Sequence, residues 1–582
     1  MRTGAAWNRE RMPLAIEDYG LIGDLRTAAL VGRDGSIDWL CLPRFDSPAC
    51  FAALLGDSRH GRYLIAPANG EHAVERTYRP GTLVLESLYT TESGSVRVVD
   101  CMSMRDDRHD VVRVVEGVAG ELEMCVELAI RFEYGSVVPW VRRIDGTLLA
   151  LAGSAAIEFR APIALRGEDF TTVARFRVRA GDRIPFVLTY FRSHRVAPVP
   201  IDGIAVLDET TAWWRRWSSR CTDRGGWQAQ ATSSLVTLKA LTYAPTGAIV
   251  AAPTTSLPER LGGERNWDYR FCWLRDATFT LYALLSAGYT EEAVAWRDWL
   301  LRAVAGSPSD MRILYALDGE RHLTELTIPW LPGYDGAAPV RIGNAASSQL
   351  QLDVYGEVMD TLHVTRASAI DPSPYAWQVQ RALLDHLESA WRERDFGIWE
   401  VRASPQHFTH SKVMAWVAFD RAVKGIEQFG LDGPVDRWRR RRVEIHNEIC
   451  NRAYDASRNA FVQHYGSHEL DASLLVMSLV GFLPISDARI VGTIEAIQRE
   501  LTVDGFVHRY RSASGVDGLS PGEGTFLPCS FWLVDNLALA GRIDEANALF
   551  GRLCGCANDL GLFAEQYDPI ARRPLGNFPQ AH

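Results

Sequence analysis

The stretch "LDETTAWWRRWSSRC" (residues 207–221) decides the fold, because the periodicity of the sequence changes there. Its apolar residues recur at three- to four-residue spacing, which predicts an amphipathic helix, with Asp208 or Thr210 as the predicted N-cap. Segments before it have the pattern of strands, and segments after it have the pattern of helices. We therefore expect three parts: a β domain (1–205), a linker helix (206–225) and a helical domain (226–582).

The strand pattern occupies residues from about 60 to 200, where short β-branched segments alternate in polarity between Gly or Asp turns. Several such strands at short spacing predict an antiparallel β-sandwich. The predicted strands are "VRVVDCMSM" (96–104), "HDVVRVVEGV" (109–118), "LEMCVELAIRFEY" (122–134), "TLLALAG" (147–153), "TTVARFRVRAG" (171–181) and "IPFVLTYF" (184–191).

The helical half contains eleven segments with three- to four-residue apolar spacing, joined by long, aromatic-rich loops. They could form a solenoid of helical hairpins or a closed double-ring barrel. No residue signature repeats at a fixed period, which favours the barrel. The segments are 230–243, 276–289, 291–306, 350–364, 375–394, 412–430, 435–450, 471–484, 487–501, 526–542 and 544–559.

The composition is that of an ordinary globular protein, with 47% hydrophobic and 23% charged residues. Its formal charge of 62 − 72 = −10 argues against nucleic-acid binding and suits a neutral substrate. No apolar stretch is long enough for a signal peptide or a membrane span, and the ten cysteines are scattered through apolar segments. We therefore expect a cytoplasmic protein with reduced cysteines that does not bind membranes.

Two loops concentrate residues suited to sugar recognition. The loop "ERNWDYRFCWLRDATF" (264–279) combines aromatic rings, which stack on sugar C–H faces, with Arg and Asp side chains, which bond to hydroxyl groups. The alternative is a buried Arg–Asp network at a helix N-terminus. A second loop (317–357) offers further pocket residues, or is simply a connection held by Pro and Gly turns. The residues concerned are Trp267, Asp268, Tyr269, Arg270, Phe271, Trp273, Arg275 and Asp276, then Trp330, Tyr334, Arg341 and Asn344.

Glu400 and Glu565 are the candidate catalytic acids, since each lies in a predicted loop beside aromatic residues. Acetal hydrolysis needs one protonated carboxyl group to protonate the leaving oxygen and one ionised carboxylate to activate water. Two acids in different environments meet that requirement. For either glutamate taken alone, the competing interpretation is a solvated loop residue.

Other kinds of chemistry lack support in the sequence. His407 and His410 are three residues apart without a third ligand at zinc-site spacing, so no metal is predicted. No serine-nucleophile or nucleotide-binding motif is present. The sequence therefore predicts no cofactor.

Several longer stretches form a recognisable set. They include "RNWDYRFCWLRDA" (265–277), "PVRIGNAASSQLQLDVYGE" (339–357), "GIWEVR" (397–402), "HFTHSKVMAWVAFDRA" (407–422), "GEGTFLPCSFWLVD" (522–535) and "AEQYDP" (564–569). Through them, nearly the whole chain resembles the bacterial branch of glycoside hydrolase family fifteen, which contains glucoamylases and trehalases. The resemblance implies a β-sandwich followed by an (α/α)6 barrel, with Glu400 as general acid and Glu565 as general base. It further implies that Trp267, Asp268, Arg275, Asp276, Trp399, Arg509 and Glu523 bind substrate.

The same resemblance implies hydrolysis with inversion at the anomeric carbon, which requires carboxyl groups ~6.5–9.5 Å apart. We expect a small neutral α-glucoside as substrate, with trehalose ahead of maltose- or isomaltose-type oligosaccharides. An α-glucoside phosphorylase and a non-catalytic sugar-binding protein are the alternatives, and a homo-oligomer is left open. The sequence stops seventeen residues after Glu565, where the family pattern continues into a last helix. We therefore expect a barrel that lacks this helix and supports Glu565 less firmly.

Overall fold

The computed structural model describes residues 12–68, 72–106, 108–144, 146–222, 225–368, 370 and 373–580. The prediction that no signal peptide is present concerns the first residues of the chain, of which 1–11 lie outside these ranges. Antiparallel strands form the N-terminal part, and helices dominate the C-terminal part. This order confirms the predicted succession of a sheet domain and a helical region.

Fifteen strands build the N-terminal domain, and every pairing between them is antiparallel. They are β1 (Tyr19–Gly23), β2 (Ala28–Gly32), β3 (Ser36–Cys41), β4 (Ala49–Phe51), β5 (Arg62–Pro67), β6 (Ala73–Tyr78), β7 (Leu85–Thr91), β8 (Gly94–Met102), β9 (His109–Ala129), β10 (Trp140–Ile144), β11 (Thr147–Ala152), β12 (Ala155–Arg160), β13 (Arg166–Glu168), β14 (Thr171–Arg179) and β15 (Arg183–Arg192).

The long strand β9 holds the domain together. Its first half pairs with β8 and β15, and its second half pairs with β5 and β14. Two separately predicted strands, 109–118 and 122–134, are thus one element. Within it, the fully buried Arg113 donates to Asp100 Oδ1 at 2.7 Å, so the buried charge is paired.

Strands β1 to β4 were not predicted, because the predicted strand region began near residue 60. Every residue of these four strands is buried. A strand covered on both faces shows no alternation of polar and apolar residues, so the period-two signal is missing there.

The linker helix α1 (Gly203–Ser218) starts earlier than predicted, and the predicted N-caps Asp208 and Thr210 are wrong. Asp202 is the N-cap, because its carboxylate accepts from the backbone N–H of Ile204 at 2.9 Å and of Ala205 at 3.3 Å. The first turn, "GIAV", contains no polar residue, so the alternation of polar and apolar residues at helical spacing starts only after this turn. Val206 and Leu207 then pack against β-domain valines.

Replacing Asp202 by alanine is expected to lower the free energy of unfolding by about 1 kcal/mol, because two N–H groups lose their acceptor. Urea unfolding followed by circular dichroism measures the change. Asp208→Ala is the matched control, since Asp208 is exposed in the middle of the helix and should leave the transition in place. A larger loss from the Asp208 change than from the Asp202 change would contradict the cap assignment.

Each of the eleven helical segments predicted after α1 corresponds to a helix. They are α2 (Gln228–Ala240), α3 (Leu274–Ser286), α4 (Thr290–Ala303), α5 (Asp353–Ala367), α6 (Pro374–Ala390), α7 (Thr409–Phe429), α8 (Val435–Arg452), α9 (Val476–Leu479), α10 (Ala488–Glu500), α11 (Leu527–Leu539) and α12 (Ile543–Cys554). None of the described helices is both long and apolar enough to cross a membrane.

Short strands lie in the loops between these helices. Those that concern the site are Thr525–Phe526, Gln566–Asp568 and Arg573–Leu575, which form one three-stranded sheet. The strands are β16 (Thr242–Tyr243), β17 (Ala248–Ile249), β18 (Cys272–Trp273), β19 (Leu314–Tyr315), β20 (Leu326–Thr327), β21 (Arg341–Ile342), β22 (Tyr454–Asp455), β23 (Ala460–Phe461), β24 (Thr502–Val503), β25 (Phe506–Val507), β26 (Thr525–Phe526), β27 (Gln566–Asp568) and β28 (Arg573–Leu575).

Candidate active site

A cavity of about 330 Å³ opens where the loops before α3, α5, α7 and α11 meet the loop after α12. Its size lies within the range of small-ligand pockets. The first turns of α3 and α11 also line the cavity, through Arg275 and Asp276 and through Pro528. The charged residues that line it are Glu259, Arg275, Asp276, Glu400, Arg402, Arg509, Asp517, Asp535 and Glu565; apolar residues of α2, α3 and α11 continue the wall.

Glu400 lies on the loop before α7 in a left-handed backbone conformation, with φ +57°. Non-glycine residues adopt this region rarely and often at functional sites. Trp273 Nε1 donates to Glu400 Oε1 at 2.7 Å, and Arg275 Nη2 lies 3.4 Å from the same oxygen. The side chain is 21% exposed. Burial raises the pKa of Glu400, while the nearby Arg275 opposes the rise.

Glu565 immediately precedes β27, which pairs with β26 and β28. Tyr269 Oη donates to its Oε1 at 2.6 Å, and the backbone N–H of Asn577 donates to its Oε2 at 3.3 Å. Gly576 approaches so closely that a Cβ there would lie 2.5 Å from Glu565 Oε2. Burial raises the pKa of Glu565, and the neighbouring Glu259 raises it further.

The support expected to be weak around Glu565 is present within residues 563–580. Thr254 Oγ1 donates to Asn577 Oδ1 at 2.9 Å, and Asn577 Nδ2 donates to the Trp267 carbonyl at 3.0 Å. The backbone N–H of Gln580 donates to the Phe563 carbonyl at 2.8 Å. The segment after Glu565 is thus tied to the loop before α3.

Two adjacent aromatic side chains hold the two acids. Tyr269 binds Glu565, Trp273 binds Glu400, and the centroids of the two rings lie 5.2 Å apart. Both carboxyl groups line the same cavity, and no direct hydrogen bond between them occurs in the part of the chain described. Two acids 165 positions apart in sequence therefore face one cavity without touching.

Five of the seven residues predicted to bind substrate line the cavity: Trp267, Arg275, Asp276, Trp399 and Arg509. Arg275 and Asp276 occupy the first turn of α3. Trp399 is fixed by donating from its Nε1 to Asp471 at 2.9 Å. Trp267 lies under two guanidinium groups, those of Arg341 and Arg402, which are 4.6 and 4.3 Å from its ring centroid.

The other two predicted residues, Asp268 and Glu523, do not line the cavity. Asp268 is fully buried and binds Arg270 through both oxygens, at 2.8 Å to Nε and 2.7 Å to Nη2. The buried Arg–Asp network that was the alternative for this loop is therefore formed by Asp268 and Arg270. Glu523 contacts Arg509 and lies 3.5 Å from Arg265, behind the cavity wall.

Sequence reasoning overlooked Glu259 and the roles of Tyr269 and Trp273 as hydrogen-bond donors to the two acids. Tyr269 and Trp273 were visible in the aromatic loop, but only the fold shows which carboxylates they reach. Glu259 lies in "SLPERL" (256–261), where no neighbouring aromatic residue distinguishes it from a solvated glutamate. It is nevertheless 1% exposed.

The remaining candidates divide between the cavity and other parts of the molecule. Of the second loop, Asn344 lines the cavity, whereas Tyr334 Oη donates to the Leu14 carbonyl and Trp330 Nε1 to the Tyr134 carbonyl. His410 is buried, and burial lowers its pKa to about 3. Among the described residues, no group of three or more His, Cys, Asp or Glu side chains could hold a metal ion.

Two family models match the chain. The model of the family "Glycosyl hydrolases family 15" matches residues 229–582, and the model "Trehalase-like, N-terminal" matches residues 3–190. The chain belongs to glycosyl hydrolases family 15. The predicted family and the predicted enzyme class, a glycoside hydrolase, are thereby confirmed.

Relatives within family 15 align over nearly the full chain. A trehalase of Mycobacterium tuberculosis is 38% identical over 97% of this chain and 87% of its own length. A trehalase of Thermoplasma volcanium is 34% identical over 97% of this chain and 91% of its own. A crystal structure of a bacterial glucoamylase complexed with acarbose superposes with a TM-score of 0.73, at 12% identity, covering 98% of this chain and 92% of that one. The last comparison supports the fold alone.

Proposed function

We propose that this family 15 enzyme is an inverting, exo-acting trehalase that hydrolyses α,α-trehalose to two glucose molecules. The observation that carries the mechanism is the pair Glu400 and Glu565, which line one cavity and are held by adjacent rings. The choice of trehalose rests on relatives named trehalase at 34–38% identity.

In the proposed reaction, Glu400 is the general acid and Glu565 the general base. Glu400 donates its proton to the glycosidic oxygen as the C1–O bond breaks, so the departing glucose leaves as a neutral alcohol. Glu565 removes a proton from water while the water oxygen bonds to C1 from the opposite face. Burial raises the pKa of Glu400, which favours the protonated form that the acid needs. Burial raises the pKa of Glu565 as well, to about 8, so the base is ionised on the alkaline side of that value.

The other predicted residues would bind the sugar that is cleaved. Arg275 and Asp276 at the start of α3 can bond to its hydroxyl groups, and Arg509 can do so from the opposite loop. Trp399 offers an apolar face for the sugar ring, and Trp267, whose ring lies under the guanidinium groups of Arg341 and Arg402, borders the same cavity. This set requires neither a metal nor an organic cofactor for hydrolysis.

For the architecture, we propose the β-sandwich (1–205), linker helix (206–225) and (α/α)6 barrel (226–582) implied by the sequence. In this layout α3, α5, α7, α9 and α11 form the inner ring, and α2, α4, α6, α8, α10 and α12 form the outer ring. The burial of α5 and α7 on nearly all sides supports their inner position. The cavity extends between α3 and α11, where Phe279 remains 38% exposed.

Substrate choice is tested by measuring glucose release from trehalose, maltose, isomaltose and soluble starch at equal concentration. We expect kcat/KM for trehalose to exceed each of the others by at least tenfold, which corresponds to about 1.4 kcal/mol of transition-state binding. A preference for maltose or isomaltose would replace trehalase by a glucoamylase-type activity. Phosphate-dependent formation of a sugar phosphate would indicate a phosphorylase, and binding without turnover would indicate a sugar-binding protein.

A further inference from the structure

Glu259 is an acid of the cavity wall to which the proposed reaction gives no role. It lies in the loop between β17 and β18, and both its backbone N–H and its backbone carbonyl are hydrogen-bonded. Its N–H donates to the Arg265 carbonyl at 2.8 Å, and its carbonyl accepts from the N–H of Gly524 at 3.2 Å. The adjacent Pro258 carbonyl accepts from Gly576, the glycine that touches Glu565. The loops of Glu259 and Glu565 are therefore joined directly.

The two oxygens of Glu259 are in different situations. Oε2 accepts from Arg509 Nη2 at 2.7 Å. Oε1 is buried and has no hydrogen-bond donor within the described ranges. Leaving a buried charged oxygen without a donor is costly, and such groups are retained mainly where they serve a function.

The charge of Glu259 is only partly neutralised by its partner. The same Arg509 Nη2 also contacts Glu523, so one guanidinium group serves two carboxylates. The second cation nearby, Arg265, binds Asp517 at 2.5 Å and lies 3.5 Å from Glu523. When all three carboxyl groups are ionised, they exceed the two guanidinium groups by one negative charge, in a buried cluster whose member Glu259 lines the cavity together with Glu565.

We propose that Glu259 is a positioning residue of this site whose incompletely neutralised charge makes Glu565 a stronger base. This inference rests on the role proposed above for Glu565. A negative charge beside a carboxylate favours proton uptake by that carboxylate, and a base with higher proton affinity removes the proton of water more effectively. In agreement, Glu259 raises the pKa of Glu565, second only to burial.

The charged groups around Glu259 and Glu565 decide how large this effect is. Burial raises the pKa of Glu259, Arg509 lowers it, Glu523 raises it and Arg265 lowers it, so the two arginines favour the ionised form of Glu259. Burial and Glu259 raise the pKa of Glu565, and Arg509 opposes them by lowering it. Tyr269, which binds Glu565, is half-buried, and burial raises its pKa well above the ordinary value, so it stays a neutral donor. The charged and titratable neighbours of the pair are thus Arg265, Arg509, Glu523 and Tyr269. Because Glu259 and Glu565 influence each other's protonation, the acid limb of the pH profile of kcat/KM reports the loss of the last proton from the pair.

The test compares Glu259→Gln with Glu523→Gln. Each removes one carboxylate from Arg509 Nη2, but only Glu259 lines the cavity together with Glu565. The pH dependence of kcat/KM for trehalose is measured for both. For E259Q we expect the acid limb to move to lower pH by roughly one unit, and the plateau above it to fall several-fold because the base is weaker. For E523Q we expect a fall in kcat/KM with less than half of that shift.

An infrared titration keeps this test independent of turnover. The difference between the intact enzyme and E565Q isolates the protonated-carboxyl C=O band of Glu565, and the same difference in an E259Q background gives its titration midpoint without Glu259. A midpoint at lower pH without Glu259 supports the inference even if trehalose is not the substrate. An unchanged midpoint and acid limb in E259Q, or equal shifts in E259Q and E523Q, would overturn it.

Discussion

Replacing Glu400 by glutamine is expected to lower kcat for trehalose by roughly 10²–10⁴-fold, because the departing sugar loses its proton donor. Glutamine has the same shape and can still accept from Trp273 Nε1, which binds Glu400 at 2.7 Å, so the loop should keep its conformation. Rates measured by glucose release, with circular dichroism as a check of folding, test the assignment. Substantial residual turnover of trehalose would remove Glu400 from the acid role.

Two controls distinguish the loss of the proton donor from a disturbance of the enzyme's structure. Glu393→Gln changes an exposed glutamate seven positions earlier and should leave the rate within about twofold, since such surface changes have small effects. α-Glucosyl fluoride carries a leaving group that needs no protonation, so E400Q should hydrolyse it at nearly the rate of the unaltered enzyme. In the unaltered enzyme, the rate falls on the alkaline side as Glu400 loses its proton. This alkaline limb of the pH profile should be absent for E400Q.

Whether the sequence predicts a helix or strand of this fold depends on which of its faces are exposed to solvent. The sequences of helices α2 to α12 have apolar residues at helical spacing, and all eleven helices were predicted. Strands β1 to β4 are buried on both faces and were missed, because burial on both sides removes the alternation. The N-cap Asp202 was missed because the first turn of α1 is uniformly apolar.

Some residues of the site were likewise predicted from the sequence, whereas others were not. Residue types and the family resemblance led to Glu400 and Glu565, and aromatic density led to the loop of Tyr269 and Trp273. Glu259 could not be found this way, because its burial depends on loops from three distant parts of the chain. Local sequence reports composition, whereas the proton affinity of a buried acid depends on the charges that tertiary structure places around it. The charge cluster around Arg509 is therefore a property of the fold.

Replacing Glu565 by glutamine is expected to lower kcat by a similar 10²–10⁴-fold, but with a different substrate response. Without a base, the attacking water keeps its proton whatever the leaving group is. E565Q should therefore remain inactive on α-glucosyl fluoride, on which E400Q recovers. Calorimetry should still show trehalose binding to E565Q, because the residues proposed to hold the sugar are unchanged. Recovery of E565Q on the fluoride would exchange the roles of the two acids.

The stereochemistry of the unaltered enzyme tests the same base. Inversion requires water between Glu565 and C1, and hence carboxyl groups ~6.5–9.5 Å apart. Water attack on one ring of α,α-trehalose then releases that ring as β-glucose, while the departing ring keeps its oxygen and leaves as α-glucose. Proton NMR during the first minutes should show equal amounts of both anomers. Two α-glucose molecules per turnover would instead mean that a carboxylate bonds to C1 and that Glu565 or Glu400 is a nucleophile.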